Sequence, residues 1–183
     1  MVSFLGRLLG WQVEIPPEER DTILAYLTEE VKLAAFQDLE AGRYNDAATK
    51  YGGDVRPGGS QVSGLLSAAR RLLKAADELV GRHSGLGPVP DVATRAYFAW
   101  QGTYMQYQEW ASAVVATLEG LEAGVIPNVE RVQHLFVQME KTRKAAESQE
   151  TKLIRRLRLR AEDWRVLMQD AQTAAKGEKW QPN

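Results

Sequence analysis

Only two histidines and no cysteine are available for catalysis in this sequence. Acid-base or nucleophilic catalysis needs a partner group that orients the reacting side chain. His83 lies near the end of a predicted helix, where a partly cationic ring suits the negative pole of the helix dipole. His134 follows Glu130 by one helical turn, but two ligands do not complete a metal site. The sequence therefore predicts no catalytic residue, no metal and no cofactor, and we expect a protein that is not an enzyme.

The densest run of basic residues lies in the C-terminal part of the chain. Residues 141–165 hold nine basic and four acidic side chains, a local net charge of +5, whereas residues 14–46 carry a local net charge of −6. Three interpretations stay open. In the first, the run pairs with the acidic segment of the same molecule or of a second copy of the chain. In the second, its side chains are solvated. In the third, it binds a nucleic acid or an anionic membrane surface. Its central cations are Lys152, Arg155, Arg156, Arg158 and Arg160.

The N-terminal segment, residues 1–12, places apolar side chains on one face of a short predicted helix. Such a segment either docks on a protein surface or lies in a membrane interface. Its only cation is Arg7, which gives weak attraction to anionic lipids, so we favour docking on protein. The apolar face consists of Phe4, Leu5, Leu8, Leu9 and Trp11.

Aromatic side chains recur along the third predicted helix. Tyr97, Trp100, Tyr104 and Tyr107 follow one another at steps of three and four residues, and the same steps continue through apolar positions from Ala93 to Val125. This spacing keeps one seam facing a partner helix along its whole length. The rings are therefore predicted to fill the core rather than to form a platform for a cofactor.

Four long helices are needed to position these groups, and apolar periodicity predicts all four. The first begins at Pro16 and Pro17 and is expected to end at Gly42, with a separate turn or two between Tyr44 and Tyr51. The second begins at Ser60 and the third at Asp91, both of which are good N-cap residues. The fourth is expected to extend from Asn128 to about residue 175, on the order of 70 Å if unbroken, with a kink, an exposed stretch or a polar layer around residues 143–150. No segment shows the alternating pattern of a strand.

These periods predict an all-α fold, an antiparallel bundle of about four long helices with a short N-terminal amphipathic helix. The chain has 183 residues, so we expect a single domain spanning 1–183 with a frayed tail at 176–183. No apolar run is long enough to span a bilayer, and no export signal is visible. The absence of cysteine suits a reducing compartment, and we expect a cytoplasmic location.

The predicted function is that of a non-enzymatic interaction or assembly protein, a coiled-coil-like scaffold. It is expected to bind protein partners, including copies of itself, through its long C-terminal helix and its amphipathic N-terminus. The reasons are the missing catalytic set and a fourth helix longer than its neighbours can cover. The alternative is binding of a nucleic acid or a membrane surface through the basic residues 152–165.

Overall fold

A computed structural model describes residues 17–51, 59–83, 91–125 and 130–177. Within these ranges the chain forms helices and no strand, which confirms the all-α prediction for them. None of the described helices is both long and apolar enough to cross a membrane. The predicted N-terminal helix, residues 1–12, lies outside the described residues. The helices are α1 (Pro17–Tyr51), α2 (Ser60–His83), α3 (Asp91–Glu122), α4 (Glu130–Arg156) and α5 (Ala161–Gly177).

The first helix is longer than the sequence indicated. α1 continues through Gly42 to Tyr51, so the predicted glycine stop is wrong. A glycine inside a helix costs only about 1 kcal/mol relative to alanine. Tyr44, two residues later, is 1% exposed, and its ring centroid lies 5.9 Å from that of Phe136 in α4. Packing beyond the glycine therefore outweighs its weak helix propensity.

The helices pack in a definite order. α1 contacts α2 and α5, α2 also contacts α3, and α3 contacts α4. Arg70 of α2 pairs with Glu119 of α3 at 2.9 Å, and Gln108 of α3 donates to Asp77 of α2 at 2.8 Å. Residue numbers rise along α2 while they fall along α3, so these two helices are antiparallel.

Buried apolar side chains form two clusters. The first draws residues from all five helices and the second from α1 to α4. The aromatic seam of α3 belongs to both clusters and is confirmed as core. Val125, placed on the seam by its spacing, is instead 77% exposed because the chain turns at Gly124. The buried seam residues are Ala93, Tyr97, Trp100, Tyr104, Tyr107, Ala111, Val114, Leu118 and Leu121.

The predicted fourth helix is divided in two. α4 ends at Arg156 and α5 begins at Ala161, so the prediction of a single helix that extends to about residue 175 is wrong. Arg143, Gln149 and Glu150 do not interrupt α4; they are half-buried and form a polar layer in a continuous helix. α4 has 27 residues, fewer than the 35 of α1. An overlong C-terminal helix is therefore not a reason to expect a partner.

Candidate binding surface at the α4–α5 elbow

The chain turns sharply between α4 and α5. Arg158 has a φ of 52°, in the left-handed region that side chains other than glycine rarely adopt. Its N–H donates to the carbonyl of Arg155 at 3.3 Å, and the N–H of Leu159 donates to the carbonyl of Ile154 at 3.2 Å. These two bonds form a Schellman motif, which closes a helix at its C-terminus. We call residues 152–165 the elbow.

The same motif closes α3 with the residue that usually occupies it. Gly124 has a φ of 70° and donates its N–H to the carbonyl of Leu121 at 3.1 Å. Val125 donates to the carbonyl of Gly120 at 2.9 Å. The sequence indicated this turn because glycine favours it. It gave no sign of the second turn, because arginine is a good helix former.

Three buried side chains anchor the elbow to the core. Leu153, Leu157 and Trp164 are at most 6% exposed and belong to the first cluster. Trp164 Nε1 also donates to Glu150 Oε1 at 2.8 Å, which joins α5 to α4. Burial raises the pKa of Glu150, and the bond from Trp164 opposes that rise. The backbone that carries the elbow cations is therefore held in place.

The five predicted cations of the elbow are all exposed. Lys152, Arg155 and Arg156 share one face of α4 because residues three and four apart are neighbours on a helix. No ion pair or hydrogen bond joins these three side chains to another residue in the described ranges. Arg160 differs, since its guanidinium donates two bonds to the carboxylate of Asp163, at 2.8 and 2.9 Å.

The acidic first helix has other partners within the described part of the chain. Glu29 pairs with Lys32 at 2.9 Å. Glu40 accepts bonds from Arg43 and Arg71. Among these residues, no ion pair joins Lys152, Arg155 or Arg156 to α1, whereas Arg143 of the same basic run interacts electrostatically with Asp38 of α1. A solvated surface and an external partner remain as interpretations.

Part of the elbow charge stabilises the helix ends. Arg155 and Arg156 lie in the last turn of α4, and Glu162 and Asp163 lie in the first turn of α5. Each such charge contributes about 0.3–1 kcal/mol through its favourable interaction with the helix dipole.

No protein-family model and no solved structure matches this chain. The elbow must therefore be interpreted from its own geometry.

Replacing Arg158 with glycine should stabilise the fold by about 0.5–1 kcal/mol. The left-handed conformation costs a residue with a side chain about 1–2 kcal/mol, and glycine removes this cost. Glycine also increases the entropy of the unfolded chain, which offsets part of the stabilisation. Urea denaturation of the two proteins measures the difference.

The matched change is Gly124→Ala, which introduces the same strain at the other Schellman motif. A Cβ at Gly124 has no atom within 4 Å, so only backbone strain acts, and the variant should lose about 1 kcal/mol. If Arg158→Gly destabilised the protein while Gly124→Ala behaved as expected, the side chain of Arg158 would be holding the elbow closed.

A second unusual group lies in the core. Glu30 is 0% exposed, the Tyr97 hydroxyl donates to its Oε1 at 2.8 Å, and Gln101 donates to that hydroxyl. Burial raises the pKa of Glu30 to about 7, against the hydrogen bonds from Tyr97 and Gln101. A carboxyl with this pKa can exchange a proton near neutrality, but its complete burial denies a substrate access. Sequence reasoning missed Glu30, although it lies on the apolar seam of α1, between Leu27 and Ala34.

Within the described ranges, neither histidine lies beside a group that would orient it as a catalytic acid or base. His134 is exposed on α4, and its Nε2 lies 3.5 Å from Nε2 of Gln138. His83 is the last residue of α2. Within the described ranges, no three carboxylate or imidazole groups are placed to hold a metal ion.

Proposed function

We propose that this chain is a non-enzymatic helical binding protein that holds an acidic segment of a protein partner on the elbow. The observation that carries the proposal is the exposed trio Lys152, Arg155 and Arg156, which has no counter-ion within the described residues. Arginine presents a planar fork of donors that matches a carboxylate with two bonds. Because buried Leu153 and Leu157 fix the backbone beneath the trio, binding has to order little more than side chains.

Acidic side chains flank the elbow cations on both helices. Glu147 precedes the cations on α4, and Glu162 and Asp163 follow them on α5. A long polyanion lying across this surface would meet these carboxylates, whereas a short acidic segment can contact the cations alone. The whole chain has a net charge of −1, so it lacks a general attraction for polyanions. A protein partner is therefore favoured. Nucleic acid or an anionic membrane surface is the second candidate, since phosphates accept the same bonds.

The proposal also covers the arrangement of the five helices. We infer that α1 to α4 form an antiparallel four-helix bundle and that α5 returns along α1. The order of helix contacts supports this arrangement. The amphipathic segment, residues 1–12, stays a predicted second docking element. Copies of the same chain are among the protein partners considered, and sedimentation velocity at micromolar concentration, showing either monomer or oligomer, tests that part.

Reversing two elbow charges, Arg155→Glu with Arg156→Glu, should weaken binding of a short labelled poly-glutamate peptide by at least about tenfold. The variant replaces two attractive contacts with two repulsive ones on an exposed surface. Fluorescence anisotropy at fixed ionic strength measures the affinity, and circular dichroism checks that the variant remains helical.

The control is Lys141→Glu with Lys144→Glu, which changes the net charge equally at two exposed positions of the same helix. It should leave peptide affinity within about twofold of the parent. Equal losses of peptide affinity in both variants would show that the effect comes from net charge alone. That result would contradict a binding surface at the elbow. Tighter binding of duplex DNA or anionic vesicles, with the loss confined to the elbow variant, would replace the protein partner with the second candidate.

A further inference from the structure

An open groove of about 430 Å³ runs along the outer face of α2. The lining residues of α2 recur at steps of three and four, so they share one face of the helix. The apolar floor consists of Leu66, only 2% exposed, and of the aliphatic stems of the long cationic side chains. Arg70, Arg71 and Lys74 bring three cations to the lining, and Ser67 adds a hydroxyl. We call this feature the α2 groove. It is separate from the elbow and lies on another helix.

The neighbouring helices hold the two guanidinium groups of the α2 groove from opposite sides. Arg70 pairs with Glu119 of α3 at 2.9 Å. Arg71 Nε lies 3.4 Å from Oε2 of Glu40 in α1, and its Nη1 lies 3.3 Å from Ser67 Oγ. Each guanidinium has five N–H donors, so these contacts leave donors for a ligand. The two arginines are thus positioned before any ligand arrives, which lowers the entropic cost of binding.

We infer that the α2 groove binds an organic phosphate monoester. A phosphate group offers three acceptor oxygens, enough to take bonds from an arginine fork, an ammonium and a serine hydroxyl together. A carboxylate has only two oxygens and would leave part of the donor set unmatched. The apolar floor suits a short apolar body attached to the phosphate.

The carboxylate of Glu122 limits the charge of the ligand. It lines the groove and accepts a hydrogen bond from Ser63 at 2.5 Å. A ligand with several phosphates would be repelled by this carboxylate, whereas a single phosphate can lie toward Arg70 and Lys74. The groove should therefore prefer monoesters to polyphosphates.

Titration calorimetry of the full chain with phenyl phosphate tests the inference. Lys74→Gln and Arg70→Gln, each at an exposed cation of the groove, should weaken binding about tenfold. Ser67→Ala, which scarcely perturbs an exposed helix position, should weaken it about threefold. Two changes should leave it intact: Lys144→Gln, an exposed cation elsewhere, and Arg155→Gln with Arg156→Gln at the elbow.

Three outcomes would overturn the inference. One is the absence of heat from phenyl phosphate at millimolar concentration. Another is loss of binding in the elbow variant with retention in Lys74→Gln, which would move the phosphate to the elbow. The third is binding of inorganic phosphate as tight as that of phenyl phosphate, which would remove any role for the apolar floor. None of these results depends on the acidic-peptide experiment.

Discussion

Glu30→Gln is expected to raise the free energy of unfolding at about pH 8 by about 2 kcal/mol and to change it little at about pH 4. Glu30 is fully buried, and burial raises its pKa from 4.5 to about 7. Between these values the folded protein keeps a proton that the unfolded chain releases. The contribution of Glu30 to stability is therefore largest below pH 4.5 and is lost as the pH rises toward 7. The neutral amide avoids this loss.

Chemical denaturation of parent and variant at both pH values measures the effect. Subtracting the two proteins at each pH removes the contribution of every other titrating group. Glu29→Gln, one residue away on an exposed face and paired only with Lys32 in the described part, should shift stability by less than about 0.5 kcal/mol. The same gain for Glu30→Gln at both pH values would mean that Glu30 is not protonated more readily in the fold than in the unfolded chain.

Tyr97→Phe probes the same site from the donor side. The hydroxyl of Tyr97 bonds to Glu30 Oε1 and favours the charged carboxylate, since hydrogen bonds to the ionised form lower its pKa. Removing it should destabilise the protein by about 1–3 kcal/mol, and by more at pH 8 than at pH 4. In Tyr97→Phe with Glu30→Gln, this pH dependence should disappear.

Helix type and core seams were predictable because they depend on periodicity along the chain. The steps of three and four from Ala93 to Leu121 indicated a buried seam, and those residues are buried. Helix ends were less predictable. Gly42 was expected to stop α1, yet Tyr44 is packed against Phe136 beyond it. The end of α4 depends on Arg158 adopting a conformation that its residue type disfavours, so local propensity could not reveal it.

The residues of the candidate site could be predicted from the sequence, but their arrangement in space could not. The charge run identified Lys152, Arg155 and Arg156. Whether these cations have counter-ions depends on how α1 packs against them, which the charge run alone does not determine. The α2 groove was missed entirely. In sequence, Arg70 and Arg71 look like ordinary solvated cations on an amphipathic helix. Only the packed neighbours α1 and α3 supply the carboxylates that hold them.

Leu153→Ala should destabilise the protein by about 3 kcal/mol, the largest loss expected from a single change near the elbow. The side chain is 0% exposed and lies in the cluster shared by all five helices, together with Leu157 and Trp164. Its removal leaves a cavity where α4 ends and α5 returns. Thermal or urea unfolding measures the loss. The matched control is Val166→Ala on α5, 54% exposed, which should cost less than about 0.5 kcal/mol.

Trypsin digestion shows where that instability lies, because the elbow is rich in arginine. If Leu153 anchors α5, local opening should expose the bonds after Arg158 and Arg160, and cleavage there should accelerate before cleavage elsewhere. Global unfolding would instead accelerate all sites together. Elbow-specific cleavage in Leu153→Ala, absent in Val166→Ala, would tie the fixed position of the basic surface to the apolar seam beneath it. Uniform cleavage would mean that α5 and the rest of the bundle unfold as one unit.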